Sequence, residues 1–184
     1  MAETVQRILL LDGELSFRGS SLLTLRLARG LERRELDTAL ICTRVTELDN
    51  SLLHGVRLHE IPGYNVPIWG QIVLRTLCRD IKEQRPDIIH VQDPHLLSQG
   101  IRLARKLRRP LIVNISDQAE ASALVIRQAT PELKVVISVS ESVQQQIPET
   151  PFMASIEKRV ILPGVEVPDA AKIDLPLDDD RPPV

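Results

Sequence analysis

Short unbroken apolar runs alternate along the chain with longer segments whose apolar residues recur every three or four positions. Short runs rich in Ile, Leu and Val are what strands look like when both faces of a parallel sheet are covered, and the longer period lays one face of a helix on that sheet. The clearest run, 88–91, is entered through Arg85-Pro86-Asp87 and left through Gln92, Asp93, Pro94 and His95, and it is expected at the sheet centre. Further strands are predicted at 7–11, 38–43, 56–61, 111–115, 135–139 and 159–162. The first helix is capped by Ser20 or Ser21, carrying Leu23, Leu27 and Leu31 inward and Arg26, Arg29 and Arg33 outward. A second spans 68–84 through Trp69, Val73, Leu77 and Ile81, and a third spans 96–107, burying Leu97, Ile101 and Ala104. A helix over 119–129 stops at Thr130-Pro131, and Ser140 caps a short one through Gln146.

This alternation predicts an α/β fold, a Rossmann-like three-layer α/β/α sandwich with a mainly parallel sheet. Residues 1–166 are expected to form that domain, and the Pro- and Asp-rich stretch 167–184 to be a linker or tail with too little apolar surface to pack. In an open parallel sheet, ligands lie beyond the carboxyl ends of the strands where the winding reverses. If the first and fourth strands are neighbours, the Gly13–Gly19 loop meets the Gln92–His95 loop, with Ser116 and Asp117 beside them.

With 184 residues, 43% hydrophobic and 26% charged, the chain has material for one sizeable core, built from Leu, Ile and Val because aromatics are only 2%. A net charge of −2 argues against nucleic acid as a partner, because phosphate neutralisation requires a positive excess. The first residues contain an acid and no apolar core, and no run is long enough to span a membrane, so a cytoplasmic location is expected. Cys42 and Cys78 stand far apart without other ligands nearby and are read as reduced and structural. His90 lies inside the central strand, where a histidine is a hydrogen-bonded core residue sooner than a metal ligand, so no metal is expected.

The Gly13–Gly19 loop opens onto a helix, whose free N–H groups favour an anion, but it has the spacing of neither a dinucleotide fingerprint nor a Walker loop. Asp93 and Asp117 end neighbouring strands, where a carboxylate acts as a base, binds hydroxyls or caps the next helix. The row Arg102, Arg105, Lys106 and Arg109 is read as a solvated face, with contact to a partner or peripheral contact to anionic lipid of a membrane as the alternative.

Six segments, taken in order, resemble the N-terminal domain of family 4 glycosyltransferases, which have the two-domain GT-B architecture. They are Arg7-Ile8-Leu9-Leu10-Leu11, Leu25-Arg26-Leu27-Ala28-Arg29-Gly30-Leu31, Arg85-Pro86-Asp87-Ile88-Ile89-His90, Pro110-Leu111-Ile112-Val113, Ile137-Ser138-Val139-Ser140-Glu141 and Val160-Ile161-Leu162-Pro163-Gly164-Val165-Glu166. The resemblance implies the acceptor-side half of a retaining glycosyltransferase that moves a sugar from a nucleotide-sugar donor to a hydroxyl of a glycan, lipid or small molecule. The nucleotide-sugar is substrate and no cofactor is implied, while a C-terminal domain would bind most of the donor. Gly13, Arg18 and Gly19 would approach phosphate, Gln92, Asp93, Ser116 and Asp117 would contact the acceptor, and Ser116 and Asp117 are the candidate catalytic residues. The family's Gly-Gly appears as Arg18-Gly19, and two of its histidines are replaced by Gln92 and Ser116. These replacements keep open a second reading, a catalytically degenerate binding or interaction module on the same fold.

Overall fold

A computed structural model describes residues 7–17, 19–63, 86–123 and 130–164. The expected helix over 68–84, Cys78, the end of the helix over 119–129 and the stretch 167–184 lie outside the described residues. In chain order the strands are β1 (Arg7–Leu11), β2 (Glu14–Leu15), β3 (Asp37–Cys42), β4 (Arg44–Val45), β5 (Arg57–Glu60), β6 (Ile88–Val91), β7 (Leu111–Ile115), β8 (Leu133–Ser138) and β9 (Glu157–Val160). The helices are α1 (Gly19–Glu32), α2 (Asn50–Leu53), α3 (Leu97–Leu107), α4 (Gln118–Ala123), α5 (Glu141–Gln145) and α6 (Pro151–Ala154), with a 3-10 turn at Pro94–Leu96 before α3.

Seven strands form one sheet in the order β5-β3-β1-β6-β7-β8-β9, and every neighbouring pair is parallel. The short strands β2 and β4 pair separately beyond it. This is the expected Rossmann-like sandwich, with the winding reversed between β1 and β6. Successive residues of β1 face opposite ways: Leu9 and Leu11 join the cluster under α3, whereas Leu10 joins the one under α1. Helices therefore cover both faces of the sheet. Among the described residues, no helix is long and apolar enough to cross a membrane.

Several local expectations need correction. Helix α1 begins at Gly19, so Ser20 and Ser21 lie in its first turn instead of capping it. Ser21 Oγ accepts from Ser16 N–H at 3.1 Å and donates to the Glu14 carbonyl at 3.4 Å, which ties the preceding loop to the helix. The buried stripe of α1 is Ser21, Thr24, Leu25 and Ala28, one position round from Leu23, Leu27 and Leu31. Small residues at the contact bring the helix axis close to the sheet, and Leu27 and Leu31 pack from its flank. Arg29 does not face away: its guanidinium donates to the Leu52 and His54 carbonyls at 2.7 and 3.4 Å, closing the end of α2. The last strand is Glu157–Val160, earlier than 159–162, because its partner β8 ends at Ser138, opposite Val160. Helix α6, capped by the Thr150 hydroxyl with Pro151 at its first position, was not expected.

Ser140 caps α5 as expected, its hydroxyl accepting from Val143 N–H at 3.3 Å. Cys42 is fully buried, and burial, followed by the charge of Glu60, pushes its thiol up to about 12. Arg105 and Arg109 of the basic row pair with Glu132 and Asp87 at 3.5 and 3.9 Å, in keeping with a solvated face.

Helix α3 approaches β6 so closely that a Cβ on Gly100 would overlap the Val91 side chain, with Leu111 Cδ1 only 3.4 Å away. At Gly30 on α1, the nearest outside atom to such a Cβ is Arg34 Nη1 at 3.9 Å. The same substitution should therefore have opposite signs at the two sites. Gly100→Ala is expected to destabilise by about 1–2 kcal/mol through overpacking. Gly30→Ala is expected to stabilise by about 0.5–1 kcal/mol through helix propensity. Urea denaturation of both variants checks the pair, and equal shifts would refute the close packing of α3.

Candidate functional site

The carboxyl ends of β1, β6 and β7 release three loops on one edge of the sheet. Leu11 is in register with Val91, so Asp12 and Gln92 follow side by side at the ends of adjacent strands. Gln92 N–H donates to the Leu11 carbonyl at 2.8 Å, and Asp12 N–H donates to the Ile41 carbonyl at 2.9 Å, so both residues are fixed by the sheet. Gly13 is the point of closest approach between the first two loops, since a Cβ there would collide with the Asp93 carboxylate. That contact places the first loop against the Gln92–His95 loop, as the winding implied.

Asp12 is only 7% exposed. One carboxylate oxygen accepts from Gly13 N–H at 2.7 Å, while the other is buried and, among the described residues, lacks a close partner. Burial raises its pKa to about 6; the neighbouring Thr24 hydroxyl and the Gly13 N–H oppose that rise, and the Asp93 charge adds to it. His90 is 8% exposed, and burial lowers its pKa to about 4, so the ring is neutral at physiological pH. Its Nε2 faces Asn114 Oδ1 at 2.9 Å, and Asn114 Nδ2 donates to Gln92 Oε1 at 2.6 Å. This relay consumes the carbonyl end of Gln92 and leaves its Nε2 buried without a partner among the described residues. His90 is thus a hydrogen-bonded core residue, but one that orients a site residue.

The carboxylates that end β6 and open α4 have local work. Asp93 Oδ1 accepts from His95 N–H at 2.9 Å and caps the 3-10 turn, and Asp117 Oδ1 accepts from Glu120 N–H at 2.8 Å. Glu120 turns back to accept from both Ser116 N–H and Ser116 Oγ, at 3.0 and 2.9 Å. The capping role considered for Asp93 and Asp117 is therefore the one this geometry displays. Gly19 stands at the start of α1, where a Cβ would meet nothing within 4 Å, and the first turn of that helix carries no acid. Arg18 lies outside the described residues.

An open cleft of about 370 Å³ lies among these loops. Gln92, Asp93, His95 and Ser116 line it, joined by Asp12, Glu14, Ser20, Thr24, Asn114 and Glu120, while Gly13, Gly19 and Asp117 do not. Sequence reasoning passed over Asp12, Asn114 and Glu120. In the sequence Asp12 stands out only as the first polar residue after a leucine run, and Asn114 only as a polar residue within an apolar segment. With Asp12, Glu14, Asp93 and Glu120 on its walls, the cleft suits ligands that donate hydrogen bonds, above all hydroxyl groups.

Residues 17–167 match the family model described as Glycosyltransferase Family 4. This chain belongs to glycosyltransferase family 4. No curated protein sequence matches it. Among solved structures it is similar to HepE of Anabaena in complex with UDP-glucose, at 20% identity and a TM-score of 0.63, over 87% of this chain and 44% of that one. It is also similar to MurG of Acinetobacter baumannii, at 16% identity and TM-score 0.61, over 88% and 47% of the two chains. A glycosyltransferase of Rickettsia africae matches at 16% identity and TM-score 0.63, over 89% and 44%. At these identities the likeness establishes the fold alone, a Rossmann-like α/β domain shared with these structures, and the chain spans less than half the length of each of them.

Asp12 and His90 impose opposite pH dependences on stability. Asp12 holds its proton to about pH 6 when folded but only to 3.8 when unfolded, so its contribution to stability falls as pH rises through that interval. The neutral His90 is disfavoured as pH falls from 6.5 toward 4, because the unfolded chain then binds a proton that the folded chain does not. Between pH 4 and 6 the two largely cancel. Relative to wild type, Asp12→Asn is expected to lose stability by about 1.4 kcal/mol per pH unit on going down through this window, and His90→Gln by a similar slope on going up. Urea denaturation across pH 4 to 7 checks both, and variant profiles parallel to wild type would refute the assignment.

Proposed function

We propose that this chain is the acceptor-side half of a retaining glycosyltransferase that moves a sugar from a nucleotide-sugar donor to a hydroxyl of a glycan, lipid or small molecule. The observation that carries this reading is the cleft at the winding reversal, with four carboxylates on its walls in a chain of this family. A hydroxyl-rich acceptor finds hydrogen-bond acceptors there, whereas a diphosphate meets like charge. Backbone N–H groups at the open start of α1, by Gly19, are the local anion-binding element in this half. The donor nucleotide, such as the UDP-glucose bound by HepE, is then held mainly by a second domain, whose cationic side chains stabilise the departing diphosphate. Ser116, on the loop after β7, meets the acceptor beside Gln92 and Asp93, while Asp117 holds that loop by accepting from Glu120 N–H. A second reading, a non-catalytic binding module, draws support from Ser116, whose N–H and hydroxyl are both committed to Glu120.

With the donor held from one side only, most of the entropy of positioning two substrates goes uncompensated, so this half is inactive alone. Residues 1–184 are expected to melt in one cooperative transition, yet to transfer no sugar from a panel of nucleotide sugars until a donor-binding domain is supplied. Transfer by residues 1–184 alone overturns the half-enzyme reading. Continued inactivity with the second domain favours the binding module.

A further inference from the structure

We infer that Asp12 Oδ2 and Gln92 Nε2 act as one pair that grips a single hydroxyl group of the acceptor sugar, making these two residues determinants of acceptor specificity. This rests on the glycosyltransferase reading above and goes further by assigning a hydroxyl to two named atoms. Both atoms are buried, and among the described residues neither has a close hydrogen-bond partner, although the Thr24 hydroxyl lies beside the Asp12 carboxylate. Register places their residues side by side, one step beyond Leu11 and Val91 on adjacent strands, and both line the same cleft.

Neither atom is fully satisfied by its own surroundings, because the Thr24 hydroxyl beside Asp12 is shared with the Ser20 carbonyl. The second oxygen of Asp12 is occupied by Gly13 N–H, and the nearby Thr24 hydroxyl donates to the Ser20 carbonyl at 3.3 Å. Gln92 cannot turn its amide around without breaking the 2.6 Å bond from Asn114, which is itself set by His90 at 2.9 Å. The fold therefore presents one fixed acceptor beside one fixed donor, each costly to leave unmade. A hydroxyl is the group that answers both, donating its hydrogen to Asp12 and accepting from Gln92 through a lone pair. An ammonium group leaves Gln92 unanswered, a carbonyl leaves Asp12 unanswered, and a phosphate is repelled by Asp12 and Asp93. A sugar lacking that one hydroxyl leaves both atoms unanswered, each at a desolvation cost.

The test exchanges the polarity of the two positions with side chains of the same shape. Asp12→Asn makes the outward atom a donor while preserving an oxygen for Gly13 N–H, and Gln92→Glu makes it an acceptor while preserving an oxygen for Asn114. Each single variant presents two like groups, whereas the double variant restores one donor and one acceptor with their places reversed. The probes are methyl pyranosides of glucose, galactose, mannose and N-acetylglucosamine with their monodeoxy analogues. Their binding to residues 1–184 is read at pH 8 from the amide spectrum, which also reports that each variant is folded.

Wild type is expected to bind at least one glycoside with a shift of the Gln92 side-chain amide, and one deoxy analogue is expected to bind about tenfold more weakly. Each single variant is expected to lose about tenfold, and the double variant to recover most of it, the coupling that defines a pair. Single variants that bind as wild type, a double variant no better than its parents, or no binding of any glycoside each overturn the pair. Failure of the functional reading is distinguishable: glycoside binding with full coupling, but no transfer when a donor-binding domain is supplied, removes the enzyme and keeps the site.

Discussion

The pairing of β1 with β6 is the constraint on which the rest of this structure depends. Right-handed crossovers carry the chain one way from β1 and the other way from β6, so the two strands leave a gap above their carboxyl ends. The pair is secured at both limits. At the start Arg7 N–H donates to the Asp87 carboxylate at 3.1 Å and Asp87 N–H to the Arg7 carbonyl at 2.9 Å; at the end Gln92 N–H reaches the Leu11 carbonyl at 2.8 Å. Register then decides chemistry, because a one-residue slip of either strand would turn its site residue to the other face and separate Asp12 from Gln92. Gly13 completes the arrangement by letting the Asp93 loop close over the first one.

On this frame the site departs from the rules that govern the remainder of the domain. The cores under α1 and α3 are apolar and closely packed, as at Gly100 against Val91. At the crevice a carboxylate and an amide are each buried with one atom lacking a close partner among the described residues, as are the hydroxyls of Thr46 and Ser138 elsewhere, and a histidine is held neutral inside the sheet. Such departures weaken a fold, and they accumulate at functional sites because a group satisfied internally has nothing left to offer a ligand.

Much of this was legible in the sequence. The strands Arg7–Leu11 and Leu111–Ile115 were readable to the residue, because strands covered on both faces leave short, dominantly apolar runs between polar segments, even with Asn114 inside the second. The neighbourhood of the first loop and Gln92–His95 followed from winding alone. Other features were hidden for physical reasons. Spacing in α1 marks a stripe of leucines without revealing that smaller residues beside it bring the helix closest to the sheet. Asp12 and Asn114 look like ordinary strand-end and strand-interior polar residues, and their roles depend on burial and on partners far away in sequence. Asp93 and Asp117 show the converse, since a polar residue at a strand end carries the same signature whether it meets a ligand or caps the next turn.

The distance along the chain between the two halves of the crevice has a kinetic consequence. Arg7 and Asp87, which open the β1–β6 pairing, are 80 positions apart, and parallel strands cannot be joined by a tight turn. Closing so long a loop costs entropy before any contact repays it, which slows folding and ties the crevice to the domain as a whole. During synthesis β1 and β3 are available to one another long before β6 leaves the ribosome. The floor of the site therefore has no local precursor, and comes into being only with the global fold.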